Sequence, residues 1–76
     1  MMYINVRTPA GRAIFAAGDY TRTLGTSPLL LARQAGVHTF ETLKAGVVDY
    51  RGSVDGENGD SIELDLQPIV VVAGTP

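Results

Sequence analysis

His38 is the only histidine of the chain, so it is the first residue to consider for catalysis. A hydrolytic triad needs a nucleophile and an orienting acid beside the imidazole. Ser53 and Asp49 would come near His38 if the segments that carry them pair as neighbouring strands. A half-buried histidine in a sheet explains the same residue without such convergence. We therefore expect a protein that is not an enzyme, with a small oligomeric enzyme that uses His38 as the alternative.

Acidic residues cluster between positions 55 and 60, where a calcium-binding loop is the second chemistry to consider. An EF-hand loop needs oxygen ligands at alternate positions and a bidentate glutamate at the twelfth, where this chain has Leu66. The chain has no cysteine and one histidine, which argues against a structural zinc site. The sequence therefore predicts a solvated hairpin tip, with neither a metal site nor a cofactor.

Charge gives a weak signal for nucleic acid and a stronger one for protein association. The isoelectric point is about 5.0, and the arginines of the first half are not clustered with aromatic residues, so we expect no nucleic-acid binding. A local site formed by Arg7, Arg12 and Arg22 is the alternative. Residues 1–40 carry a net charge of +3 and residues 41–76 a net charge of −5. This split can steer association with a protein partner or with another copy, although two solvated faces are the simpler explanation.

The length of 76 residues predicts one domain, residues 1–76, with a small core and a frayed tail at residues 73–76. Because there are no disulfides, further stability has to come from self-association or a partner. No apolar run approaches the length of a membrane span, and the start of the chain lacks the basic and apolar regions of a signal peptide. We therefore expect a soluble cytoplasmic protein.

The strongest strand pattern spans residues 61–72. Polar and apolar residues alternate from Ser61 to Gln67, which is typical of a strand with one buried face. Nearly every residue from Pro68 to Val72 is apolar, as expected for a strand that is covered on both sides. The pattern predicts a central strand, with Met2–Arg7 lying parallel beside it.

Two segments that precede this strand have clear turn and cap signals. Residues 3–17 predict a hairpin closed by Pro9–Gly11, with Val6 opposite Ile14. Residues 27–36 predict a short helix, because Ser27 suits the N-cap, Pro28 the first turn and Gly36 the C-terminal cap. The leucines of that helix have to pack on one face of the sheet.

Residues 37–43 favour a short edge strand, although a single capped helical turn over residues 39–46 is an alternative. A three-residue loop, Lys44–Gly46, places Phe40 opposite Tyr50 and His38 opposite Gly52. Residues 47–54 then pair with the central strand. The expected register places Val54 opposite Ile62 and Arg51 opposite Asp65.

The predicted fold class is α+β: a small, mostly antiparallel sheet of about five strands with one short helix on one face, in the order ββαβββ. In this arrangement the chain resembles the ubiquitin-like β-grasp family, which includes small sulfur carriers. Residues 2–14 are similar to the opening hairpin of that family, with alternating apolar residues and a turn glycine. Residues 59–64, Gly-Asp-Ser-Ile-Glu-Leu, are similar to the segment that leads into the final strand of the sulfur carriers.

The resemblance implies a carrier or modifier that acts through its C-terminal tail. The tail here is Ala73-Gly74-Thr75-Pro76 instead of the Gly-Gly on which such proteins load their cargo. Removal of Thr75 and Pro76 would be needed to expose Gly74. The carrier function is therefore the first alternative to the hypothesis below.

The outer face of the predicted sheet is the best candidate for binding, because aromatic residues lie there beside charged ones. Coverage of Phe15 by the 18–26 loop or by the C-terminal tail is the alternative. The sequence predicts a non-catalytic interaction or assembly module, such as a subunit, a particle component or an inhibitor. It would bind a protein, or a further copy in a homo-oligomer, through this face or an edge strand. The candidate residues are Tyr3, Asn5, Phe15, Arg51, Glu63 and Asp65.

Overall fold

The computed structural model describes residues 1–69, and all regular structure in this range is β-strand. The predicted α+β fold class is therefore wrong: no helix occurs between residues 1 and 69. The strands are β1 (Met2–Arg7), β2 (Ala13–Ala16), β3 (Gly25–Thr26), β4 (Leu29–Arg33), β5 (Gly36–Lys44), β6 (Val47–Gly56), β7 (Ser61–Asp65) and β8 (Gln67–Pro68).

The strands form two sheets that enclose one core. The three-stranded sheet has the order β4-β1-β7, and the five-stranded sheet has the order β3-β2-β5-β6-β8. β1 is antiparallel to β4 and parallel to β7. Both sheets and the β7–β8 junction contribute to the buried cluster, so the sheets pack face to face. Its members are Met2, Ile4, Val6, Ile14, Phe40, Val54 and Leu66.

Two segments pass from one sheet to the other, so strand pairing continues around the molecule. Residues 25–33 contribute β3 to the large sheet and β4 to the small one, and residues 61–68 contribute β7 and β8 in the same way. Backbone hydrogen bonds hold both crossings: Ser27 N–H donates to Arg12 O at 3.2 Å, and Leu66 N–H donates to Arg7 O at 2.9 Å.

The segment predicted as a helix is the strand β4. Ser27 does not cap a helix, because its hydroxyl accepts a hydrogen bond from Thr8 N–H at 2.8 Å and donates one to Thr8 O at 3.3 Å. The leucines then alternate as in a strand: Leu29 and Leu31 pack against the core, and Leu30 is exposed. Pairing with β1 overrides the helix signals of the local sequence.

The predicted N-terminal hairpin does not form a ladder, because β1 and β2 belong to different sheets. Gly11 has the left-handed backbone that the turn requires, with φ of 59°. However, the Thr8 hydroxyl accepts a hydrogen bond from Arg12 N–H at 3.1 Å and holds a wider corner. Val6 and Ile14 consequently both lie in the core instead of pairing along one sheet.

The parallel pairing of residues 61–65 with β1 is as predicted, with Ile4 opposite Ile62. The central position is wrong, since β7 lies at an edge of the small sheet. Val54 and Ile62 are in different sheets, and Arg51 is opposite Gln67 instead of Asp65. The predicted continuation of the strand beyond residue 69 and the frayed tail lie outside the described residues.

β5 and β6 form the predicted hairpin, but β5 is a nine-residue strand between β2 and β6 and not an edge. The register also differs: Phe40 is opposite Gly52, and His38 is opposite Val54. The turn has two residues, Ala45 and Gly46, with φ of 52° and 78°, which is the geometry of tight hairpins. An irregularity between Thr42 and Leu43 accommodates the extra residue of β6.

Candidate functional site

The six candidate residues divide between two faces on opposite sides of the core. We call the outer surface of the small sheet the open face and that of the large sheet the closed face. Four of the candidates, Tyr3, Asn5, Glu63 and Asp65, lie together on the open face. Phe15 and Arg51 lie on the closed face, on either side of Glu41. The structure therefore does not form the single patch that the sequence predicts.

The open face has an apolar side, formed by β1 and β4. The register places Tyr3 beside Ala32 and Asn5 beside Leu30. Tyr3 is 48% exposed and Leu30 is 70% exposed, which is high for side chains of this size. Between them an open groove of about 330 Å³ runs across the strands. Its lining residues are Tyr3, Asn5, Leu30, Ser61, Ile62 and Glu63.

The side formed by β7 is acidic. Asn5 donates a hydrogen bond from its side-chain nitrogen to Glu63 Oε2 at 3.0 Å. Arg7 donates from Nε to Asp65 Oδ1 at 2.8 Å and lies 3.5 Å from Glu63 Oε2. One guanidinium therefore faces two carboxylates, and this side of the open face keeps an excess negative charge.

The closed face is organised around a buried carboxylate. Glu41 is 3% exposed. Its Oε1 accepts a hydrogen bond from the Tyr20 hydroxyl at 2.5 Å, and its Oε2 accepts one from Arg51 Nε at 2.7 Å. Phe15 packs edge-on against the Tyr20 ring, with 6.0 Å between the ring centroids. The 18–26 loop thus covers Phe15, which agrees with the alternative drawn from the sequence.

The ionisation of Glu41 follows from these contacts. Burial raises the pKa of its carboxyl group, but the hydrogen bonds from Tyr20 and Arg51 and the guanidinium charge outweigh burial and lower it below the ordinary value. The bond to Glu41 in turn raises the pKa of the Tyr20 hydroxyl. Glu41 is therefore ionised, and each of its carboxylate oxygens accepts a hydrogen bond from another side chain of the closed face.

A further ion pair, which the sequence did not predict, joins Arg12 to Asp49. Arg12 also donates to Leu43 O at 2.6 Å, and the Thr42 hydroxyl donates to Asp49 Oδ1 at 2.6 Å. Burial raises the pKa of Asp49, but the bonds from Arg12 and Thr42 outweigh it and lower the pKa. Arg12 lies over the Tyr50 ring, 5.9 Å from its centroid. This cluster links the β5–β6 hairpin to Arg12, whose carbonyl oxygen accepts the hydrogen bond from Ser27 at the first crossing between the sheets. Arg12 therefore has a structural role.

The three residues of the possible triad are engaged separately. His38 Nε2 lies 2.9 Å from Gln34 O, and Ser53 Oγ lies 2.7 Å from Thr39 Oγ1. Asp49 is bonded to Arg12 and Thr42. Within residues 1–69, no group of three or more histidine, aspartate or glutamate side chains could hold a metal ion. No helix in that range is long and apolar enough to cross a membrane.

Leu30 is the open-face residue that sequence analysis missed, because the segment was assigned to a helix. The strand register that would have exposed it depends on pairing with β1, which the local sequence does not encode. No protein-family model matches the chain, and neither a curated protein nor a solved structure matches it. The resemblance to the β-grasp family therefore stays a prediction, and Gly74 lies outside the described residues.

Proposed function

We propose that this protein is a non-catalytic interaction module that binds a protein partner through the open face and the strand edges beside it. The observation that carries the proposal is the adjacency of two exposed side chains, Tyr3 and Leu30, on neighbouring strands of one small sheet. Single exposed apolar residues are common on protein surfaces, but an aromatic and a leucine that share a groove form a contact surface.

The composition of the open face suits recognition by a protein. Tyrosine offers apolar area together with a hydroxyl at low conformational cost, and tyrosine is enriched in interfaces for that reason. Asn5 and Glu63 add a bonded polar pair to the lining of the groove. A fitting partner would present apolar side chains to the groove and would keep acidic groups away from the β7 side, because Glu63 and Asp65 share a single guanidinium there.

The two alternatives have less support. Separate hydrogen bonds of His38, Ser53 and Asp49 favour a non-catalytic role over a small enzyme. The carrier function depends on Gly74, for which the described residues provide no evidence. The closed face also fits poorly as a binding site, because its aromatic and charged groups bond to one another.

Affinity capture with the full chain tests this proposal. The bait proteins are the wild type, Tyr3→Asp on the open face and Val47→Asp as the matched control, since Val47 is 67% exposed but lies at the hairpin turn. We expect the wild type and Val47→Asp to recover the same partners and Tyr3→Asp to lose them. Recovery of identical partners by all three proteins would contradict the proposal. Circular dichroism of each variant confirms that it is folded.

A further inference from the structure

The two edges of the small sheet have different chemistry. β4 contains four apolar residues and ends in Arg33, its only charge. β7 contains Glu63 and Asp65 and follows the acidic tip at residues 55–60. Exposed edge strands invite pairing with another strand, and proteins commonly prevent it with charges or prolines on the edge. β7 has two charges within the strand, whereas β4 has a single charge at its last residue.

Along β4, one side has no strand partner within residues 1–69. Its only ladder there is with β1. In an antiparallel ladder, alternate residues direct both backbone groups away from the paired strand. The Arg33 guanidinium donates to Ala32 O at 2.8 Å from the exposed side, which indicates that Ala32 directs its groups outward. By alternation, Leu30 does the same.

We propose that β4 pairs with β4 of a second copy, antiparallel and centred on Leu31, so that the two small sheets join into one sheet. This inference rests on the proposed function and names its partner. A two-fold axis at Leu31 places Leu30 opposite Ala32 of the other copy, and Ala32 opposite Leu30. These are the residues with outward-directed groups, so each pair exchanges two backbone hydrogen bonds. The Arg33 side chain leaves Ala32 O to permit this.

The charges on β4 are compatible with such self-pairing. Arg33 would lie opposite Leu29 of the second copy, and the two Arg33 residues would be separated by about 13 Å along the strands. This distance exceeds the Debye length of about 8 Å at physiological salt, so their repulsion is screened. Pairing of two β7 edges would instead bring Glu63 and Asp65 of both copies together. Self-association is therefore specific to the β4 edge.

The pairing would also cover the most exposed leucine of the open face. Leu30 would face Ala32 of the second copy across the joint, and Tyr3 of each copy would flank the new apolar strip. The acidic side of each open face would stay accessible at the outer edges of the joined sheet. The proposed dimer thus uses the apolar side of the open face.

Sedimentation velocity of the full chain tests the dimer. We expect a concentration-dependent species of twice the 8.0 kDa chain mass. Leu30→Lys and Ala32→Pro should both reduce it to the monomer, the first by charge and the second by removing an outward N–H that β1 does not use. Val47→Lys, which places the same charge on an equally exposed apolar site, should stay dimeric. A monomeric wild type, or equal loss in Val47→Lys, would overturn the proposal.

Engineered cysteines test the register, since the natural chain contains none. Opposite residues of a ladder lie within disulfide range, whereas Leu30 and its own symmetry copy would be offset by two residues. A mixture of Leu30→Cys and Ala32→Cys chains should therefore oxidise to the mixed dimer in preference to either homodimer. Preferential formation of the Leu30→Cys homodimer would overturn the Leu31-centred pairing.

The outcomes separate this inference from the proposed function. A monomeric chain whose captured partners are lost in Tyr3→Asp would overturn the dimer and support the interaction module. A monomeric chain that captures no partner would overturn both. A dimer that Leu30→Lys dissociates and that forms the mixed disulfide would support both, because the second copy is then the partner protein.

Discussion

The open and closed faces contain similar residue types in different arrangements. Each has a tyrosine, a glutamate and an arginine. On the closed face, Glu41 is buried and accepts hydrogen bonds from Tyr20 and Arg51. On the open face, Glu63 is exposed and bonded to Asn5, and the Tyr3 hydroxyl has no hydrogen-bond partner within residues 1–69.

The difference shows that composition alone does not make a binding surface. Phe15 and Arg51 met the compositional criterion, but their groups are already engaged by Tyr20 and Glu41. A partner would have to break these contacts before it could use them. Among the described residues 1–69, Tyr3 and Leu30 take part in no such side-chain bonds, and their exposed area is therefore available for association.

Replacing the glutamate of each face by glutamine should give the largest difference between the two faces in the free energy of unfolding. Glu41→Gln removes a buried charge that is bonded to Arg51, and the amide offers one acceptor oxygen where the carboxylate offers two. We expect a loss of about 2 kcal/mol in the free energy of unfolding. Glu63→Gln, on the open face, should change it by less than about 0.5 kcal/mol. Urea denaturation of both variants measures the difference, and equal losses would mean that the two faces are not distinct.

Acid should remove the stability that the hydrogen-bonded carboxylates of Glu41 and Asp49 contribute. The folded state lowers the pKa of Glu41 and of Asp49, so the unfolded chain binds more protons as the pH falls. Their contribution to stability is present above the unfolded values, about 4.3 for glutamate and 3.9 for aspartate, and is lost as the pH falls through the folded values.

Denaturation curves between neutral pH and the acid range check this expectation. The wild type should lose stability as the pH falls below about 4.3. Glu41→Gln should lose less, because only Asp49 of the two carboxylates remains. Glu63→Gln serves as the control and should follow the wild type. Parallel curves for all three proteins would show that Glu41 does not contribute to acid sensitivity.

Sequence patterns identified the strands at both ends of the described chain but not the sheets to which they belong. Alternation in residues 61–65 predicted a strand with one buried face. Its parallel pairing with β1 is correct, although it was predicted from an order of elements that included a helix which the described residues lack. The expected hairpin between residues 47–54 and that strand was wrong, because two crossings allow consecutive strands to lie in different sheets. Turn residues such as Gly11 restrict the backbone locally but do not determine the strand partner.

The candidate site was half predictable for the same reason. Residues on β1 and β7 share a face because those strands pair as expected, so Tyr3, Asn5, Glu63 and Asp65 were placed together correctly. Phe15 and Arg51 were assigned to that face by parity within a single sheet. β2 and β6 instead belong to the other sheet, where the same parity places Phe15 and Arg51 on the opposite side of the core.

Removal of a single tyrosine hydroxyl from each face should give a smaller difference in stability between the two faces. Tyr20→Phe deletes the hydrogen bond to Glu41 and should cost about 1 kcal/mol. Tyr3→Phe deletes a hydroxyl without a partner in the described residues, and its effect on stability should be close to zero. Thermal denaturation of the two variants under identical conditions measures both values. A larger cost for Tyr3→Phe would show that its hydroxyl is engaged in the isolated chain.

Leu30→Lys should have little effect on the stability of a dilute chain. The side chain is 70% exposed, so the substitution removes little buried area and should change the free energy of unfolding by less than about 0.5 kcal/mol. The apparent stability of the wild type should then rise with protein concentration, because association stabilises the folded state by mass action. That of Leu30→Lys should not rise. A cost above about 1 kcal/mol at high dilution would mean that Leu30 already packs within one chain, and the open face would then be as satisfied as the closed one.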